Sequence, residues 1–145
     1  MTLNLLMEAV AKKLTTLWPD RKVYVNKLSR ESDGQFFVGI IESSQEKHLD
    51  RRRKRSVQMQ VLYFLQSQDN LEFNDWAEAM YDNFETLDVE EDKGKSRTIH
   101  LSNLTAREDG DSRIYQFLFN ADFYVVLASA PGLEMESLNQ KEELK

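Results

Sequence analysis

Asp50-Arg51-Arg52-Arg53-Lys54-Arg55-Ser56-Val57-Gln58-Met59-Gln60-Val61-Leu62-Tyr63-Phe64 carries five consecutive cations straight into an alternating apolar run. Val57, Met59, Val61 and Tyr63 fall at every second position with Gln58 and Gln60 between them, the spacing of a strand with one buried face. Leu62 and Phe64 put apolar groups on the other face as well, so the strand is expected to be central, with its end covered on both sides. Its start is expected near Val57, where the charge stops, which leaves Arg51 to Arg55 at a sheet edge or rim. Five positive charges there call for solvent, nucleic acid or an acidic neighbour.

On the N-terminal side, Leu3, Leu6, Val10, Leu14 and Leu17 recur at spacings of three and four with Lys12, Lys13 and Thr16 off the stripe, which predicts an amphipathic helix over about 2–17. Pro19 ends it, and Trp18 before the proline is expected to fold back on the core. Lys22 to Lys27 reads as a short first strand and Gln35 to Ile41 as a second, buried one. Turn chemistry at Asp33-Gly34 suggests that the two form a hairpin. Glu42 to Asp50 fits either a loop or an extension of the second strand.

On the C-terminal side, Asp69 with Glu72 resembles a capping box, and Trp76, Ala77, Met80, Phe84 and Leu87 continue as one helical stripe ending near Leu87. Glu90-Glu91-Asp92-Lys93-Gly94-Lys95 has too little apolar content for a packed element and is expected to be a mobile acidic loop. Alternation resumes over Thr98 to Leu104. Arg107 to Ser112, with its Asp109-Gly110 pair, reads as a hairpin loop before a last strand over about 113–127. That strand puts Tyr115, Phe117, Phe119, Ala121, Phe123 and Val125 on a core face; Ile114, Gln116, Leu118, Asn120, Asp122 and Tyr124 form a mixed second face, expected to be partly covered by another subunit. The predicted order is α-β-β-β-α-β-β, an α+β two-layer domain over residues 1–130 with one mixed or antiparallel sheet of about five strands and two helices. Residues 131–145 are expected to be a flexible polar tail.

Composition agrees with an ordinary globular protein, 41% hydrophobic and 30% charged over 145 residues, and holds no apolar run of membrane-spanning length. Lys12 and Lys13 interrupt the N-terminal apolar residues too early for a signal peptide, so a cytoplasmic location is expected. The net charge is −6, yet the run holds five of the 19 cations; the other 14 face 25 acids, leaving −11 elsewhere. Such overall acidity argues against a protein that coats nucleic acid, while the local cluster permits one positive contact surface.

Catalytic chemistry finds little footing. The chain has no cysteine; His48 and His100 are its only histidines and form no ligand-spaced pair. It shows no phosphate-binding glycine loop and no nucleophile elbow, so neither enzyme activity nor a cofactor or metal is expected. The acids at Glu90, Glu91 and Asp92 read as solvated rather than metal-binding.

The order of elements is similar to that of the tail terminator proteins of contractile-tailed phages and related prophage-encoded particles of Gram-positive bacteria. The likeness runs over about Leu3 to Val126. It is carried by Leu17-Trp18-Pro19 closing the first helix, Val23-Tyr24-Val25, Phe36-Phe37-Val38, the Arg51 to Arg55 segment entering Val61-Leu62-Tyr63-Phe64, and Asp69-Asn70-Leu71 opening the Trp76 to Tyr81 helix. The resemblance implies a non-catalytic subunit that forms a hexameric homo-oligomeric ring on the end of the completed tail tube, stops polymerisation, and offers a surface to the head–tail connector protein. Its partners would then be itself, the tail tube protein, the connector and DNA passing through the lumen, with assembly in the host cytoplasm and residence in the virion tail. In that setting Arg51, Arg52, Arg53, Lys54 and Arg55 are expected either to contact a neighbouring subunit, with its Glu90, Glu91 and Asp92 as the acidic counterpart, or to face DNA. The alternative is a nucleic-acid-binding accessory protein that uses the run on phosphates, and the bland reading is a solvated strand entrance that discourages edge aggregation.

Overall fold

The computed structural model of the protein describes residues 1–25, 35–64, 70–92, 94–108 and 114–126. The turn pairs at Asp33-Gly34 and Asp109-Gly110, the capping residue Asp69 and the tail 131–145 lie outside them. Helix α1 (Leu3–Leu17) starts where the Thr2 hydroxyl accepts from the Leu5 amide, and buries Leu6, Val10 and Leu14. It stops at Trp18, whose amide still reaches the Leu14 carbonyl before Pro19. The strands are β1 (Val23–Tyr24), β2 (Gln35–Lys47), β3 (Arg52–Phe64), β4 (Thr86–Asp92), β5 (Lys95–Glu108) and β6 (Ile114–Val126), with α2 (Asn70–Asn83) between β3 and β4.

The sheet has the order β1-β2-β3-β6-β5-β4. As expected, β3 is central: it pairs antiparallel with β2 on one side and, from Arg52↔Val126 to Phe64↔Ile114, with β6 on the other. The fold class stands as α+β, with one strand more than expected. That strand is β4, which takes in Glu90, Glu91 and Asp92, so these acids are not a loop. Leu87 satisfies helical spacing after Phe84 and also alternates with Val89; the second period wins because the partner strand β5 supplies backbone hydrogen bonds and both side chains become buried. Helix α2 accordingly ends at Asn83. Gly94, at φ 75°, takes the left-handed position in the turn to β5 that an L residue resists.

Two further expectations change. Strands β1 and β2 pair in parallel, Val23↔Phe36 and Tyr24↔Phe37, rather than as a hairpin; the long connection after Tyr24 allows the return that parallel pairing needs. Strand β3 begins at Arg52 instead of Val57, because ladder hydrogen bonds on both sides hold a cationic segment whose own strand propensity is low.

Strand β5 changes partners along its length. Lys95 to His100 pair with β4, and Leu101 to Glu108 pair with β6, with Asn103 at φ 54° and a register shift between Ser102 and Thr105. The sheet curls there, and α1 packs in the curl against β4 on one side and β1 and β2 on the other. Within the curl Trp76 of α2 meets the rings of Phe36, Tyr63, Phe73 and Phe117, and Phe36, Val61, Tyr63, Met80, Phe84, Phe117 and Phe119 form one buried core with it. Trp18 packs on the rim of that core against Phe36, as its position before Pro19 suggests.

Candidate assembly surface

Past Val57 toward their connecting turn, β2 and β3 run on as an arm, with β6 alongside β3 as far as Val126. Ile41 to Lys47 are exposed along its outer strand, and among the described residues β1 pairs with Phe36 and Phe37 of the β2 edge. Strand alternation divides the cations. Arg53 and Arg55 share the face of Val57 and Met59, while Arg52 and Lys54 lie on the other face with Ser56 and Gln58. On the first face, Arg55 Nε donates to Gln45 Oε1 at 2.8 Å and its Nη1 donates to the Met1 carbonyl at 3.5 Å. On the second, the Arg52 guanidinium lies 4.7 Å from the centre of the Tyr124 ring, which His48 meets edge-on at 5.3 Å. The tip is tied by Arg53 Nη1, which donates to the carbonyls of Asp50 (3.3 Å) and Arg52 (2.9 Å) around a turn with Asp50 at φ 62°. Leu49 stands 86% exposed in that turn, beside Arg51.

Glu91 comes near Arg55 by way of Met1. The Glu91 carboxylate lies 3.1 Å from the N-terminal ammonium of Met1, whose carbonyl accepts from Arg55, so Met1 bridges the end of β4 to the basic half of β3. The two strands are three steps apart in the sheet, roughly 14 Å along its surface. Both charged segments therefore lie at the end of the molecule where α1 begins. The Glu90 side chain is exposed.

Between the β1 end and the β4 edge, α1 forms the floor of an open groove of about 440 Å³. Leu5 and Ala9 of α1 with Val23 and Val25 supply apolar surface; Glu8, Asp88 and Glu90 stand around it, opposed by Lys12. Asp88 accepts from the Thr98 hydroxyl at 2.6 Å. Farther along the helix, Lys13 donates to the Thr86 carbonyl at 2.8 Å and lies 5.1 Å from the centre of the Phe84 ring. Burial holds the Lys13 pKa below its ordinary 10.5, a shift that nearby Asp88 partly offsets.

The sheet face turned away from the helices carries a polar ladder at its middle, with Tyr124 and Val126 exposed toward the turn end. Arg107 Nε donates to Gln116 Oε1 at 2.7 Å, and Gln116 Nε2 donates to Gln60 Oε1 at 2.6 Å, a ladder across three strands. Ile114 and Leu118, the apolar members of the second β6 face, are already 7% and 8% exposed within the chain, so they offer little for another subunit to cover. Among the described residues no three metal-capable side chains come together, and no helix is long and apolar enough to cross a membrane.

The sequence pointed to the cations and acids but not to Met1 as their link, to the groove, or to Arg97, whose Nη1 donates to the Tyr124 carbonyl at 3.0 Å where β5 leaves β6. Only Leu49 carried a local signal, a lone apolar residue in a polar connection.

Comparison with known proteins agrees with this architecture. A solved chain from the virion of a native gene transfer agent particle superposes with a TM-score of 0.52 at 13% identity, over 83% of this chain and 95% of its own, and so shares the fold. A second solved chain covers 90% of this one and 99% of itself, but at a TM-score of 0.46 and 10% identity the superposition is too loose to argue from. No curated protein matches the sequence. The family model described as phage tail terminator protein matches residues 6–131, which take in nearly all of α1 and every strand through β6. The chain belongs to the phage tail terminator family.

Proposed function

We propose that this phage tail structural protein closes into a hexameric ring on the end of the completed tail tube, halts tube growth, and presents a surface to the head–tail connector, without catalysis. The family match over residues 6–131 carries the reading. The charge layout supports it. A ring repeats one heterologous contact, so its two complementary patches must sit at equal height on different flanks of the subunit. Arg51 to Arg55 at the start of β3 and Glu90 with Glu91 on β4 lie at one end of the molecule on separate strands, which supports equal height for the two patches.

Electron microscopy of the purified protein, alone and added to growing tubes, tests the proposal. Closed rings and tubes that stop lengthening are expected; continued growth with the protein present would refute capping. The cations on both faces of β3 favour a second reading, contact with DNA in the lumen. In that case affinity falls steeply with salt, with a slope of about −0.9 per phosphate neutralised.

A further inference from the structure

We propose that the β2–β3 arm tip of one copy seats in the α1 groove of the next, with Leu49 on the apolar floor and the tip cations against the carboxylate rim. The identity of the partner as a second copy rests on the ring reading; the pairing of the two surfaces rests on their shape and charge. An exposed leucine, followed after Asp50 by the unbroken cations Arg51 to Arg55, matches a groove whose floor is Leu5, Ala9, Val23 and Val25 and whose rim is Glu8, Asp88 and Glu90. With three acids against Lys12, the rim is net negative; the arm from Arg51 to Arg55 is positive.

The arm cannot serve its own groove. Its strands remain paired to Lys47↔Arg53, and β6 holds β3 to Arg52↔Val126, so the Leu49 to Arg51 turn is held at the end of the sheet, in line with the strands. From Arg55 to Arg51 the chain spans about 13 Å at strand rise, which carries Leu49 beyond the start of its own α1. Donor and acceptor are different surfaces, so the contact propagates head to tail and closes only as a ring or runs on as a filament.

The absence of native cysteine makes a disulfide test clean. Leu49→Cys and Ala9→Cys are made as separate full-length variants, each with a thermal midpoint matching the parent, and mixed under mild oxidation. A covalent dimer of the two is expected, formed at least about tenfold faster than Leu49→Cys links to Ser102→Cys on the open sheet face, because a disulfide needs Cα atoms within about 7 Å. Glu8→Cys serves as a second acceptor. A chain carrying Leu49→Cys and Ala9→Cys together should give a ladder of linked oligomers. Linkage no faster than to Ser102→Cys, no linkage, or an internal disulfide in the double variant would overturn the proposal. Closed rings without this linkage refute the arm contact and leave capping standing; the linkage in a protein that fails to stop tube growth does the reverse.

Discussion

Trp76 stands where α2 meets the sheet, between the rings of Phe36, Tyr63, Phe73 and Phe117. Its indole nitrogen is buried with no hydrogen-bond partner among the described residues, so the side chain acts by volume and ring contact. Trp76→Ala should cost about 3 to 5 kcal/mol and Trp76→Phe much less, read as the fall in thermal midpoint; equal losses would contradict a packing role. Lys13 works in the opposite sense. Burial lowers its pKa in the folded state, so the unfolded chain binds the proton more tightly, and stability should rise as pH climbs toward 10.5. Thermal midpoints of Lys13→Met measured across the alkaline range should lack that rise.

At the scale of elements, the arm and the acidic rim of the α1 groove form a testable pair. Reversing Arg51 and Lys54 to Glu should abolish ring formation while each chain still folds, and reversing Glu8 and Glu90 to Lys in the same chain should partly restore it. Sedimentation of the four chains decides this; restoration with no dependence on the first pair would refute charge pairing. How much of this was legible varies by element. The buried half of β3 shows in the sequence because Val57, Met59, Val61 and Tyr63 alternate without interruption. The start at Arg52 does not, since pairing with β2 and β6 overrides the residues' own preference. Strand β4 is hidden because Leu87 fits two periods and the acids after it have loop composition. Alternation is the same read in either direction, so the parallel sense of β1 leaves no mark. The groove draws on Leu5, Val23 and Asp88, three separate segments that only the curl brings together.

For the whole molecule, the decisive property is assembly against an overall charge of −6. If the proposed ring contact forms, isolated copies would repel one another at long range while attracting through that one contact, so association should be weak in dilute solution and completed on the tube end. Light scattering over a wide concentration range should show growth from the monomer to a closed oligomer of fixed size. Growth without limit would contradict a ring. Raised salt should weaken the contact, since its charges are largely exposed and screened.

The partial pairing of β5 and the late arrival of β6 also set the course of folding. The central pair of the sheet, β3 with β6, joins residues fifty to seventy-four positions apart, from Phe64↔Ile114 to Arg52↔Val126, so it forms only after a long loop closes. The local β2–β3 hairpin can form first and wait with one full edge of β3 bare, Val57 to Phe64 included. Refolding is therefore expected on the millisecond-to-second scale rather than in microseconds. During synthesis, a nascent chain that has emerged only through β3 presents that edge to its neighbours on crowded ribosomes, where chaperone binding would have its greatest effect.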